Sequence, residues 1–330
     1  MAAKLLLALC LTFLPPWAAA AEDCRQAAGP GCYQGFEVPG AGGKLNFYAS
    51  MPVGAMPAHA LIAMHGHPRD AGRTFDASLE AVRHAAAPDD TLVIAPVFQV
   101  AAADAARCHA PGTPDAQDGD LLWTCSSWLE GGSSANGGHI TSFAAMDALV
   151  AETARRWPSL RRITIAGFSA GGQMVQHYIA FARPPASGPA LRYVVADPGT
   201  WLYFDPRPGA DACPAVNRWK YGTEDLPENL GRNAAEARAA YAAADVHYLE
   251  GALDSADAPG AYYRILDKSC AAVAQGPFRL QRGQAYLEYE RTELMPARPR
   301  TLTVVPGCAH DVACVFPSDT ARTVLLGTMP

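Results

Sequence analysis

The chain has 330 residues, 50% hydrophobic and 18% charged, with a net charge of -6. That composition supports a large buried core and excludes an intrinsically disordered chain. A modest acidic balance without any long run of Lys or Arg gives no reason to expect nucleic acid or an anionic membrane surface as a partner.

The first segment reads as an address. Lys4 precedes the apolar run Leu5 to Leu14, Pro15 and Pro16 break it, and Ala19-Ala20-Ala21 supplies the small residues of a cleavage site before Glu22. Residues 1–21 are therefore expected to be a signal peptide, and its apolar run is too short to serve as a membrane anchor. Residues 22–330 are expected to form one domain with insertions at about 98–141 and 203–230. Loss of Cys10 with the leader reduces nine cysteines to an even number in a chain bound for an oxidising compartment. Sequence proximity pairs Cys24 with Cys32, Cys108 with Cys125 and Cys308 with Cys314, leaving Cys213 with Cys270. A zinc role is disfavoured, because the cysteines are scattered and no pair has the two-residue gap common in zinc sites.

Along the mature chain, short apolar runs alternate with helical patterns. Lys44 to Ser50 and His59 to His65 read as strands, followed by a helix with Phe75, Leu79 and Val82 on one face until Pro88. Thr91 to Ala95, Ile163 to Ala166, Tyr193 to Ala196, Val246 to Leu249 and Leu302 to Val305 have the near-continuous apolar character of parallel strands buried on both faces. Helices are expected at Phe143 to Arg156, Gly171 to Ala182, Ala234 to Ala244, Gly260 to Val273 and from Ser318 onward. This alternation predicts an α/β fold with a doubly wound, mostly parallel sheet.

The strongest chemical signal is Gly167-Phe168-Ser169-Ala170-Gly171-Gly172, lying between a strand and a helix. G-x-S-x-G needs that context, because the sharp turn exposes the serine oxygen and the helix amino terminus favours negative charge beside it. A serine hydroxyl is a weak nucleophile without a base. His310, in Pro306-Gly307-Cys308-Ala309-His310-Asp311 after the last apolar strand, is the candidate. Asp254 follows the preceding strand and is the candidate acid, with Asp257 and Asp197 as alternatives. Oxyanion donors are expected from the backbone N–H of Ala170 and from that of His67, in the loop opened by His65-Gly66-His67. His65-Gly66-His67-Pro68-Arg69-Asp70 also has a partial likeness to zinc-hydrolase motifs, but the aspartate is displaced by one position and no further histidine follows.

These motifs resemble the α/β-hydrolase superfamily in its esterase and lipase branch, in order and spacing from Lys44 to Leu326. More narrowly, His65 to Asp70 and Tyr286 to His310 resemble secreted bacterial hydrolases of unassigned substrate. The resemblance implies Ser169 as nucleophile, His310 as general base, Asp254 as the orienting acid, and Ala170 and His67 as oxyanion donors, with no cofactor and no metal. One departure is the lack of an extended glycine run after His65-Gly66. The implied activity is ester hydrolysis through an acyl-enzyme, in a secreted or periplasmic protein. A peptidase or other acyl-transfer enzyme, a non-catalytic binding protein and a zinc hydrolase are the alternatives. Trp201, Tyr203, Phe204 and Trp128 are candidates for lining the substrate pocket.

Overall fold

The computed structural model describes residues 24–327; the leader expected at residues 1–21 lies outside them. Ten strands follow in order: β1 (Tyr33–Glu37), β2 (Lys44–Ala49), β3 (His59–Met64), β4 (Thr91–Val97), β5 (Gln99–Val100), β6 (Leu122–Trp123), β7 (Arg162–Phe168), β8 (Ala190–Ala196), β9 (Val246–Gly251) and β10 (Leu302–Val305). Eight of them form one sheet in the order β1-β2-β4-β3-β7-β8-β9-β10. Its β1/β2 and β2/β4 pairs are antiparallel, and the rest are parallel.

The apolar runs serve both faces of this sheet. In β3, Leu61 and Ala63 join one buried cluster while Ala60, Ile62 and Met64 join the other, and β4 divides Val93, Ala95 and Val97 from Leu92 and Ile94 in the same way. Period-two alternation with no polar face is what a strand covered on both sides requires. Helix Ala71–Arg83 packs one face with Phe75, Leu79 and Val82, joined by Val312, Val315 and Leu325 of the last two helices. Helices Ser142–Arg156, Ala170–Phe181, Ala234–Ala243 and Arg279–Tyr289 cover the other, contributing Met146, Met174, Tyr178, Tyr241 and Tyr286. This is the doubly wound, mostly parallel α/β arrangement expected from the sequence.

Two local expectations are corrected. Gly260 to Val273 is not one helix: it comprises a turn, a single 3-10 turn at Tyr263–Ile265, and the short helix Cys270–Val273 capped by the Ser269 side chain. Tyr262 adopts a left-handed φ of 47°, which a continuous right-handed helix cannot contain. Conversely, β1 and helix Arg279–Tyr289 lie outside the elements expected from the apolar pattern. Part of the long segment after Phe98 is ordered by the small parallel pair β5/β6, and Trp123 and Trp128 are buried in the main cluster.

All four expected cysteine pairs are disulfide-bonded: Cys24–Cys32, Cys108–Cys125, Cys213–Cys270 and Cys308–Cys314. Among the described residues, no helix is long and apolar enough to cross a membrane.

Candidate active site

The parallel strands deliver their carboxyl ends to one edge of the sheet, and three side chains meet there. Ser169 follows β7 directly and has φ 58° and ψ -121°, a conformation costly for any residue with a Cβ. The surrounding glycines make it possible. A Cβ on Gly171 would lie 2.5 Å from the carbonyl oxygens of both Met64 and His65, and one on Gly167 would collide with the backbone of Gly171. The Ser169 N–H donates to the Ala196 carbonyl at 3.0 Å, locking the turn to the end of β8.

His310 comes from the turn after β10. Its Nε2 lies 2.7 Å from Ser169 Oγ, and its Nδ1 lies 2.7 Å from Asp254 Oδ2. Asp254, in the turn after β9, is 2% exposed. With an acceptor carboxylate at Nδ1, the proton belongs on that nitrogen, which leaves Nε2 free to accept from the serine hydroxyl. Burial lowers the proton affinity of His310 below the ordinary imidazole value, opposed by the hydrogen bond to Asp254 and assisted by the positive charge of Arg279. The neutral, accepting imidazole is thereby favoured.

Of the three candidate acids, Asp254 alone reaches His310. Asp257 is exposed on the loop beyond it. Asp197 is fully buried behind Asp254, with Oδ1 accepting from the Gly251 N–H at 2.8 Å.

Ala170 is the first residue of its helix, so its N–H has no intrahelical acceptor. His67 lines the same cavity as Ser169 and His310. The loop carrying it is held by its neighbours: Gly66 N–H donates to Asp70 Oδ1 at 2.8 Å, and the buried His65 bonds the Gly66 carbonyl through Nδ1 at 2.8 Å. His65 Nε2 accepts from the Phe98 N–H at 3.3 Å, and burial pushes this imidazole down to about 4. Both its nitrogens are occupied, so the zinc-like reading of His65 to Asp70 lacks its first ligand. Among the described residues, Asp197, Asp254 and His310 bring one ligand atom each within 4.8 Å of one another. The Nδ1 and carboxylate oxygens of the latter two are committed to each other and to the Arg279 guanidinium, a poor setting for a cation.

The cavity at Ser169 measures about 1320 Å³ and is walled by His67, Asp70, Arg73, His109, Tyr262 and Ile265, among others. The aromatic candidates for this lining are corrected. Trp128 and Trp201 are 0% exposed, and Tyr203 and Phe204 are 4% and 5% exposed. Trp201 stacks on Tyr286 at 4.4 Å, and Trp128 packs edge-on against His65 at 4.5 Å. All four belong to the main buried cluster, because large apolar rings gain most when fully removed from water. The aromatic rings that do reach the cavity are Tyr33, Tyr48, Phe168 and Tyr262. Asp70 was visible within the quoted motif, whereas Tyr262 and Arg279 carried no local signal.

In sequence, neither a family model nor a curated protein matches the chain. In structure it is similar to a poly(aspartic acid) hydrolase-1 from Sphingomonas sp. KT-1, with a TM-score of 0.62 and 20% identity over 89% of this chain and 98% of that one. It is also similar to LpqC, a poly(3-hydroxybutyrate) depolymerase from Bordetella parapertussis, with a TM-score of 0.61 and 21% identity over 94% of this chain and 96% of that one. Likeness at such low identity speaks to architecture, and together with the strand order it shows that the chain has the α/β-hydrolase fold.

Proposed function

We propose that this chain is an exported serine hydrolase that cleaves carboxylic esters. The observation that carries the reading is the continuous contact from Ser169 Oγ to His310 Nε2 and from His310 Nδ1 to Asp254 Oδ2, each 2.7 Å. In the proposed cycle His310 takes the hydroxyl proton as Ser169 Oγ attacks the ester carbonyl, and Asp254 holds the imidazole in the required tautomer. The tetrahedral oxyanion rests on the N–H groups of Ala170 and His67, aimed at the charge as it develops. His310 then protonates the departing alcohol, leaving an acyl group on Ser169. Water attacks that acyl group with His310 again as base, and the acid product leaves.

Export rests on the leader pattern at residues 1–21 together with the four disulfides, which persist in oxidising compartments. Residues 22–330 are taken as a single unit of this fold, with the insertions near the site.

The direct test is turnover of a short p-nitrophenyl ester by the purified chain and by S169A. The reading expects hydrolysis with an initial burst in the wild type and neither in S169A with its fold retained. Equal rates in the two proteins would overturn it.

A further inference from the structure

Behind Asp254 lies a group of ionisable side chains that the proposed reaction does not use. Asp197 and Glu250 are both 0% exposed and Asp254 is 2% exposed, so three neighbouring carboxyl groups are buried together. One cation meets them. Arg279, 3% exposed, directs Nη1 at Asp254 Oδ1 and Oδ2 at 3.1 and 3.4 Å, and the same nitrogen donates to the Ala261 carbonyl at 2.8 Å. Arg279 begins the helix Arg279–Tyr289, and the N–H of the next residue, Leu280, donates to the Asp254 backbone carbonyl at 3.2 Å. One turn later Gly283 makes room for the cluster: a Cβ there would lie 2.5 Å from Glu250 Oε1.

A charge count explains the cluster. No N–H group reaches Oδ2 of Asp197 or either side-chain oxygen of Glu250, which leaves the two carboxyl groups to hydrogen-bond each other. Burial and the neighbouring carboxylates raise both groups, Asp197 to about 8 and Glu250 well above its ordinary value, which favours the protonated form, with Glu250 donating to Asp197. The Arg279 charge is then left to Asp254 alone. Ala261 precedes Tyr262, whose ring lies 6.2 Å from that of His310, and the His310 N–H donates to the Gly260 carbonyl at 3.1 Å. The loop flanking the site is therefore tied to the acid through one guanidinium.

We infer that Arg279 is a positioning residue of the reaction: it fixes the Asp254 carboxylate against His310 Nδ1, supplies its counter-charge within the buried acidic cluster, and anchors the Tyr262 loop beside the imidazole. The inference rests on the proposed Ser169–His310–Asp254 reading. Every titratable group facing His310 enters the count: Asp254 from the β9 turn, Arg279 from its helix, Asp197 and Glu250 behind them, and Asp70 from the loop after β3, flanked by the Arg73–Asp311 ion pair at 2.7 Å. Of these, Arg279 alone is a buried cation, and its removal lets His310 hold a proton more tightly.

The test compares wild type, S169A, R279M and R279K on a short p-nitrophenyl ester across pH. R279M is expected to lose kcat on the order of tenfold, a part of the roughly 10²–10⁴ that a well-placed base contributes, with KM nearly unchanged. Its acid limb of kcat/KM moves up by about one unit, as expected when a close positive charge is withdrawn from an imidazole. R279K keeps the charge without the planar fork, so its acid limb returns toward wild type while kcat recovers in part. If R279M does not fold, R279K carries the test alone, with kcat expected below wild type at a nearly unchanged acid limb. An unchanged kcat and pH profile in the folded Arg279 variant, with only the melting temperature lowered, would overturn the inference. Activity surviving in S169A would instead overturn the underlying reading.

Discussion

Gly171 and the carbonyl of His65 approach so closely that a Cβ on the glycine would stand 2.5 Å from the oxygen. This contact joins the start of the Ser169 helix to the loop that presents His67, so it sets the distance between the nucleophile and a proposed oxyanion donor. G171A must push the two apart. We expect it to lose roughly 1–3 kcal/mol of stability, the usual cost of overpacking, and to lower kcat more than KM. Wild-type melting and turnover in G171A would show that the spacing is not critical.

The proposed base works only when neutral. Burial of His310, the larger influence, favours the neutral form and outweighs the hydrogen bond that Nδ1 donates to Asp254. Activity is therefore present at higher pH and is lost as pH falls through a value below 6.5, the ordinary imidazole value. A kcat/KM profile locates this limb, and a midpoint above 6.5 would contradict the electrostatic account.

Asp197 gives a prediction about stability. Burial, then the Asp254 charge, raises it from 3.8 to about 8. Because the folded state prefers the protonated form, this contribution is fully present below the unfolded value and is lost as pH rises through the folded one. Denaturant midpoints of the wild type should decline toward alkaline pH, and D197N should flatten the decline. Asn also tolerates the left-handed φ of 45° at this position. Parallel curves for the two proteins would remove Asp197 as the cause.

The Cys308–Cys314 bond closes a short loop that contains His310. Its reduction should loosen the imidazole while leaving the apolar core intact. Activity is expected to fall under mild reductant before the near-ultraviolet circular dichroism of the core changes, and a C308A/C314A variant should show the lower rate without responding to reductant. Simultaneous loss of both signals would mean that the disulfide supports the whole fold.

Much of this architecture was legible because buried parallel strands announce themselves as apolar runs and a serine elbow needs glycines. Ser169, His310 and Asp254 stand where chain order and strand ends placed them. The boundaries of β7 and β9 extend past the apolar run because Gly167-Phe168 and Glu250-Gly251 continue the ladder beside β8 and β10. What escaped is long-range. Helix Arg279–Tyr289 contains Gly283 and several polar residues, and its purpose is visible only once Glu250 occupies the space the glycine leaves. Trp128, Trp201 and Tyr203 follow elements that lead toward the site, but side-chain direction decided between cavity and core, and sequence spacing does not encode it. The Tyr262 loop has helical composition yet is held by Arg279 and the His310 backbone.

The proposed chemistry turns on Ser169 as the activated nucleophile, its Oγ 2.7 Å from His310 Nε2. A fluorophosphonate probe reacts with such a serine, and peptide mass mapping locates the adduct. A single adduct on Ser169 is expected in the wild type, none in S169A, and slow labelling in H310A. An adduct on another residue, or equal labelling of S169A, would contradict it.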